Sequence, residues 1–409
     1  MLAGCPPLPA ETIALADARG CVLAEAVVAA EAIPPFANSA MDGFAVHAAD
    51  VAGASVDAPA VLTVVATIKA GDAGDVALGP GEAIRIMTGA PVPAGADSVV
   101  MVERTVVADD GATVEVLEAV EAGTSVRPAG DDIAIGQQVF AVGDVITPGH
   151  IGVLASLGFT EVRAHRRPRV GVFSTGDELV EGGLPLGPGQ IRDSNRITLL
   201  ALVAESGFDG VDLGCLPDDE AVIAEALERA GRECDAVITT GGVSMGDYDF
   251  VKVVLDRIGE MRWMQIAIKP SKPLAFGTIA GGPDEAPAAP RVPVFGLPGN
   301  PVSSTVSYEL FARPALRQMM GHAPSALDRP RVLAVADGPL RRRPDGKTHF
   351  ARVVTRYEDG VHRVTSAGGQ GSHQLSAMAF ADGLAVLPDG DGVEPGATVE
   401  VIVLDGARR

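Results

Sequence analysis

The sequence predicts a multidomain chain of α/β plus β class: a central doubly wound α/β domain between β-rich N-terminal domains and a small C-terminal β domain. Three observations carry this. At 409 residues the chain is too long for one compact core and matches two to four domains at about 150 residues each. Its texture changes twice, near residues 167 and 322, and between those points near-continuous apolar strands alternate with helical periodicity. That alternation implies a parallel sheet covered on both faces.

From residue 1 to about 167, short β-like runs ("LTVVATI", "AIRIM", "SVVMVE", "TVEVLEAV") alternate with turn signals such as "GDAGD" and "GPGE". Helix is expected there only at "ETIALADARG" and "TPGHIGVLASLG". After the basic connector "RAHRRP", the strands read "RVGVFS", "GVDLGCL", "DAVITT" and "VPVFGL". The helices read "NRITLLALVAESG", "EAVIAEALERAG", "DFVKVVLDRIG" and "SSTVSYELFARPALRQMMG". Residues 323 to 409 return to β texture ("RVLAVA", "HFARVVTRYE", "LAVLP", "TVEVIVL"), a small barrel or sandwich.

Composition excludes several function classes. Fifty-three acidic against 32 basic residues give a formal charge of −21, which repels nucleic acid and anionic membrane, so an anionic ligand needs a local device. No apolar run reaches the ~18 residues that span a bilayer, and "MLAGCPPLPAE" lacks a basic region before an apolar stretch. Cys5, Cys21, Cys215 and Cys234 form no CxxC pair, which fits a reducing, cytoplasmic setting.

Ligands of an open parallel sheet bind beyond the carboxyl ends of its strands, where strand order reverses. Those ends read "STGDEL" with Thr175, Gly176, Asp177 and Glu178, "LPDD" with Asp218 and Asp219, "TTGGVSMGDYD" and "GLPGNPVSS". Glycines there admit positive φ and close backbone approach, and the following helices direct free N–H groups outward, which suits a phosphate. The loop is not a Walker A motif and no GxGxxG opens the domain. The acids Asp177, Glu178, Asp218, Asp247 and Asp249 would repel that phosphate unless a divalent cation such as magnesium bridged them; each can instead cap a helix. "AIKPSKP" sets Lys269 and Lys272 three apart on a proline-stiffened loop, "RRRPDG" reads as a solvated hairpin turn, and His150, His349 and His373 lack ligand spacing.

Nine motifs together resemble one family, the molybdopterin molybdenumtransferases, comprising the bacterial MoeA enzymes and the gephyrin E domain. They are "PPFANSAMDGFAV" (34 to 46), "IRIMTGAPVPAGAD" (84 to 97), "GDDI" (130 to 133), "VFSTGDEL" (172 to 179), "IRDSN" (191 to 195), "TTGGVSMGDYDFVK" (239 to 252), "AIKPSKP" (267 to 273), "GLPGNPVS" (296 to 303) and "GGQGSH" (368 to 373). The resemblance implies a molybdopterin-binding type central domain at 168–322, a C-terminal β-barrel at 323–409, a linker or dimerisation domain from 1–40 and 127–167, and an inserted β-rich domain at 41–126. It implies magnesium-dependent insertion of molybdate into adenylylated molybdopterin with release of AMP.

By the same resemblance, Glu178, Asp218, Asp249 and Lys269 match catalytic positions, the three acids also holding magnesium. Asp42, Thr88, Asp132, Thr175, Gly176, Asp177, Gly241, Gly242, Ser244, Pro298 and Pro301 are the expected substrate-binding residues. Lys269, Lys272, Ser303, Arg352 and Ser372 are expected at molybdate. The N-terminal positions would face a partner subunit across a homodimer, and the molybdopterin adenylyltransferase and molybdoenzymes are the further partners implied. Gln265 stands where many members carry lysine, and Ser271 where some carry glycine. Two alternatives remain. The sister adenylyltransferase shares "TTGGVS" but has no need of the flanking domains, and a non-catalytic dimeric scaffold has no need of acids at every strand end.

Overall fold

The computed structural model describes residues 1–242, 250–281 and 291–404. Its N-terminal part is β-rich. A six-stranded sheet runs in the order Ser98–Met101, Gly43–Val46, Glu82–Ile86, Ala60–Ile68, Thr113–Val116, Thr105–Val107 around Phe44, Val46, Leu62 and Val100. Before and after it the chain pairs with itself at long range: Ala10–Ala14 with Glu161–His165, Val27–Val28 with Gln138–Phe140, and Asn38–Ser39 with Val126–Arg127. The expected helix at "ETIALADARG" is therefore corrected. Ala10–Ala14 is a strand whose ladder partner lies some 150 residues away, and only Leu15–Asp17 turns helically. The second expected helix forms at Pro148–Ser156, with Thr147 as its N-cap and Pro at the first position.

The central sheet contains β1 Arg169–Thr175, β2 Asp209–Leu216, β3 Ala236–Thr240, β4 Gly259–Gln265, β5 Pro273–Ala280 and β6 Arg291–Leu297, in the order β2-β1-β3-β6-β5-β4. The strands β2, β1, β3 and β6 are parallel, as their apolar runs predict. The hairpin β4–β5 adds an antiparallel edge that the continuous-apolar criterion does not detect, because β5 opens on Pro273 and β4 is only half-buried. Alternate residues bury on opposite faces. Val170, Val172, Ile238, Phe295 and Leu297 pack under Leu199, Val203 and Tyr308, while Phe173, Val237 and Val294 pack under Ile223, Leu227 and Val254. Helices α1 Asn195–Glu205, α2 Glu220–Glu233 and α3 Phe250–Ile258 supply those covers, together with Tyr308 of the segment after β6. In α2 the buried positions Ile223, Ala226, Leu227 and Ala230 follow the i, i+3, i+4, i+7 stripe of an amphipathic helix. After β6, α4 Pro301–Ser307 continues through a π-turn at Tyr308–Ala312 into Arg313–Met319.

The C-terminal strands close a five-stranded barrel: β7 Arg331–Ala336, β8 Thr348–Glu358, β9 Val361–Ser366, β10 Gly383–Leu387 and β11 Thr398–Val403, in the cycle β8-β9-β7-β11-β10-β8. The two residues Ile268–Lys269, between β4 and β5, pair in parallel with Thr348–His349 of β8 and tie the barrel to the central domain. The "RRRPDG" turn is not uniformly solvated. The Arg342 side chain is 1 % exposed. It donates to the carbonyls of Lys347, Leu387, Pro388 and Arg343 and to the carboxylates of Asp345 and Asp389. A guanidinium carries five donors in a rigid fork, so one buried arginine can close a turn of carbonyls in this way.

Candidate functional site

Strands β1, β2, β3 and β6 end on one edge at Thr175, Leu216, Thr240 and Leu297, so the four sequence segments singled out there do share an edge. The chain leaves β1 for β2 on one side and returns to β3 on the other, which places the switch of strand order between β1 and β3. Gly241 sits at this switch with φ +93°, and a Cβ there would lie 2.9 Å from the Thr175 carbonyl oxygen. Thr175 is buried beneath it. No other residue fits that position without moving backbone. Beyond the edge lies a cavity of about 660 Å³ lined by Glu178, Gly241, Gly242, Lys269 to Pro273, Pro298 to Asn300, Ser303 and, from the barrel, Lys347, Gln370 and Ser372.

One side of the cavity is cationic. Lys269, Lys272 and Lys347 all line it, and among the described residues none of the three forms an ion pair or a side-chain hydrogen bond. The loop that carries the first two is fixed at both ends. Ile268–Lys269 is held on β8, and the Lys272 carbonyl accepts from the Ile266 N–H at 2.8 Å. At its centre Ser271 adopts φ +86° and its buried hydroxyl bonds that of Ser307 on α4. Ser271→Ala keeps the left-handed backbone, about 1 kcal/mol uphill for a residue with a Cβ, and leaves the Ser307 hydroxyl unpaired. Ser271→Gly loses the same bond but not the backbone preference. The glycine variant is therefore expected to be more stable than the alanine variant by about 1 kcal/mol in urea unfolding, and equal stability would show that the backbone at 271 is not strained.

Arg352 does not line the cavity. It is buried within the barrel, where Nη2 donates to the carbonyls of Gly369 and Gly371 at 2.9 and 3.0 Å and no carboxylate faces it among the described residues. Burial pushes its guanidinium down to about 10. Gln370 brackets the Arg352 backbone, accepting from its N–H at 2.9 Å and donating to its carbonyl at 3.0 Å. Arg352, expected at molybdate, thus has its Nη2 engaged by the 369–371 loop, whose Gln370 lines the cavity. Its charge lies behind the 369–371 carbonyls and sets the loop that presents Gln370 and Ser372. The Ser372 carbonyl also accepts from the Val302 N–H in the first turn of α4 at 3.1 Å.

Of the strand-end acids, Glu178 lines the cavity, while Thr175, Gly176, Asp177 and Asp218 are not among the lining residues. Gly176, at φ +146°, lets the Glu178 carboxylate fold back over it; a Cβ at 176 would lie 2.4 Å from Glu178 Oε2. The Asp218 N–H donates to Asp177 Oδ1 at 3.1 Å. Partial burial, then the charge of Asp177, then that of Glu178, raise the Asp218 carboxyl above its ordinary value. Helix capping does not account for Asp218, since the neighbouring Asp219 is the cap of α2, accepting from Ala221 and Val222. Among the described residues no three His, Cys, Asp or Glu side chains are placed to hold a metal ion by themselves.

Asp249 and Ser244 lie outside the described residues. Pro298 lines the cavity and Pro301 opens α4 at its rim. Gln265 ends β4 opposite Pro273 and is not among the lining residues. Asp42, Thr88 and Asp132 belong to the N-terminal part and are likewise not among the lining residues. Asp42 accepts from the Thr88 N–H at 2.7 Å and from its hydroxyl at 2.8 Å, and these bonds hold its carboxyl below the usual range. Sequence reasoning passed over Lys347, Gln370 and Asn195. Asn195 Nδ2 bridges Thr240 Oγ1 and the Gly299 carbonyl at 2.9 and 2.7 Å, fastening two strand-end loops. It and Gln370 stand inside the motifs "IRDSN" and "GGQGSH", which could have flagged them.

Comparison with known proteins covers this arrangement from end to end. Residues 1–158 match the MoeA N-terminal region (domain I and II), residues 171–318 a probable molybdopterin binding domain, and residues 340–404 the MoeA C-terminal region (domain IV). The chain is 40% identical over 412 residues to molybdopterin molybdenumtransferase 2 of Mycobacterium tuberculosis, covering 99% of this chain and 96% of the relative. It is 37% identical to the molybdopterin molybdenumtransferase of Haemophilus influenzae, covering 97% and 94%. The solved molybdopterin biosynthesis moeA protein of Pyrococcus horikoshii OT3 superposes with TM-score 0.77 at 30% identity, over 98% of this chain and 97% of that one. All three regions, in one chain and in this order, establish that the chain belongs to the MoeA family of molybdopterin molybdenumtransferases.

Proposed function

We propose that this chain catalyses magnesium-dependent insertion of molybdate into adenylylated molybdopterin, with release of AMP. Its relatives bear the name of a transferase, and it acts with them in molybdenum cofactor biosynthesis. The observation that carries the reading is the cavity itself: it is lined by three lysines without an ion pair, by Glu178, whose charge acts on the nearby Asp218, and by the glycines of the strand-order switch.

Molybdate is a dianion, and in a chain of net charge −21 the lysine wall is where it gains most. Lys269, Lys272, Ser303 and Ser372 hold it, with the buried Arg352 charge adding field from behind the 369–371 loop. The phosphates of the pterin lie over Gly241 and Gly242, where bare backbone allows close approach, with Pro298 in the same lining, Thr175 directly against Gly241, and Gly176, Asp177 and Pro301 on the adjoining strand-end segments. Ser244 belongs to the same loop in sequence. Two Mo–S bonds form as the dithiolene thiols give their protons to one molybdate oxygen, which leaves as water, and one water adds to the phosphoanhydride phosphorus with AMP as the leaving group.

The residues fit magnesium of a particular kind. Without a three-ligand cage among the described residues, but with Asp218 in like-charge repulsion with Asp177 and Glu178, the donor set suits an ion held by one or two carboxylates and the substrate's phosphates. Glu178, Asp218 and Asp249 are the acids from which those carboxylates would come, and when bound the ion would neutralise charge on the phosphoanhydride oxygens. Reconstitution with adenylylated molybdopterin, molybdate and magnesium should release AMP, and omission of either ion should stop it; release that ignores both ions would refute the assignment.

Asp42, Thr88 and Asp132 serve the cavity of a second subunit in a homodimer. What supports this is their position among residues that do not line their own cavity. Asp42→Ala and Glu178→Ala chains, each weak alone, should regain activity after verified subunit exchange, because one mixed site is then intact. No gain after exchange would remove the shared site. Supply of the adenylylated substrate assigns the molybdopterin adenylyltransferase as an upstream partner and molybdoenzymes as recipients, in the cytoplasm. No helix is long and apolar enough to cross a membrane among the described residues.

A further inference from the structure

Lys347 is the one basic side chain that the barrel presents to the cavity among the described residues. It is half-buried and its ammonium meets no acid within ion-pair distance there. Its backbone, by contrast, is fixed. The Lys347 carbonyl accepts from Arg342 Nη1 at 2.6 Å, and the next residue donates from the Thr348 N–H to the Ala267 carbonyl at 2.9 Å. Thr348 and His349 then pair with Ile268 and Lys269, so Lys347 is delivered to the cavity beside the lysine loop. The nearby carboxylate that could have neutralised it, Asp345, is committed to Arg342 and to His349 Nε2.

Three like charges converging on one cavity, in a chain with 53 acids available to pair them, are costly unless an anion completes the site. Resting on the function proposed above, we infer that Lys347 is a third oxyanion-binding lysine, which adds a charge from the barrel to the molybdate site that Ser372 already reaches from that domain. Lys269 and Lys272 come from the central domain, and Lys347 stands beside their loop as the barrel's charge. The Arg342 hub is then a positioning residue for Lys347, acting through the turn that it clamps.

The test is a molybdate titration of AMP release from adenylylated molybdopterin with the full chain, for wild type, Lys347→Gln, Lys347→Arg, Lys272→Ala and Arg343→Gln. Losing one charged contact to an anion is expected to raise the half-saturating molybdate concentration of Lys347→Gln about tenfold, with kcat and the KM for the pterin little changed. Lys347→Arg should restore most of the loss. Arg343→Gln removes the same charge from the same turn outside the lining and should not shift the titration. Sulfate, a dianion of the same shape, should compete less well in Lys347→Gln. A shift in Lys272→Ala without one in Lys347→Gln overturns this inference and leaves the proposed function standing, while no shift in either overturns both. A rise confined to the pterin KM would overturn it too, since the lysine would then serve the phosphates, and so would an equal shift in Arg343→Gln, which would make the effect one of overall charge.

Discussion

Replacing Asp218 by Asn is expected to lower AMP release by about 100-fold or more while raising the thermal midpoint of the ligand-free protein. The activity loss follows if the carboxylate is a magnesium ligand, since metal-mediated stabilisation of developing charge is worth several kcal/mol and each 1.36 kcal/mol is tenfold in rate. The stability gain follows from the structure directly. Burial, Asp177 and Glu178 raise the Asp218 carboxyl above its ordinary 3.8, so the folded chain holds that proton more tightly than the unfolded one. Stability contributed by this group is then lost as pH rises from 3.8 through the folded value, and an uncharged Asn escapes the loss. The midpoint difference between variant and wild type should therefore be present at neutral pH and shrink toward zero as pH falls to the ordinary carboxyl range. Differential scanning calorimetry at several pH values reads this without any substrate. A variant less stable than wild type at neutral pH would show that Asp218 is a structural carboxylate.

Arg342→Ala should be the most destabilising single change in the barrel. It strips donors from the carbonyls of Lys347, Leu387 and Pro388 and leaves Asp345 and Asp389 facing each other without their shared cation. Removing one partner of a buried charged network costs about 3–5 kcal/mol, and the partial exposure of both aspartates places this case at about 3 kcal/mol. Urea unfolding followed by a barrel-specific probe should show the unfolding free energy fall by that amount, read as a lower midpoint at unchanged slope. A change below about 1 kcal/mol would mean that water replaces the guanidinium with little penalty.

Arg342 also shows where the sequence stops being readable. Three consecutive arginines before Pro-Asp-Gly look like a solvated turn, and the features that bury the middle one are the carbonyls of Leu387 and Pro388 and the carboxylate of Asp389, more than 40 residues on. Ala10–Ala14 is the same case in backbone form: nothing local announces a strand whose partner is Glu161–His165. The four parallel strands were legible because burial on both faces writes itself as unbroken apolar runs, and their shared edge follows from parallel order alone. The hairpin β4–β5 was not, since an edge strand carrying Glu260, Arg262 and Gln265 does not show that run.

The candidate site divides along the same line. Gly241 and Glu178 were legible at the cavity because strand-end position and residue chemistry point the same way, whereas the lysines of "AIKPSKP" were singled out by the family resemblance. Lys347 and Gln370 reach the cavity only through closure of the barrel and its pairing with Ile268–Lys269, a long-range event with no local signature. The engagement of Arg352 by the 369–371 carbonyls was likewise not legible, because it depends on the fold of that loop. Full-length similarity to the MoeA family agrees with the nine motifs that pointed to it along the sequence.

The proposed reaction couples loss of AMP to gain of molybdenum by the pterin on one chain. It is tested most directly in a single turnover with enzyme in excess over adenylylated molybdopterin, in which AMP and pterin-bound molybdenum are quantified in the same sample. The account predicts equal amounts of both, each dependent on molybdate and magnesium. AMP formed without bound molybdenum, or molybdenum bound with the adenylylated pterin left intact, would contradict it.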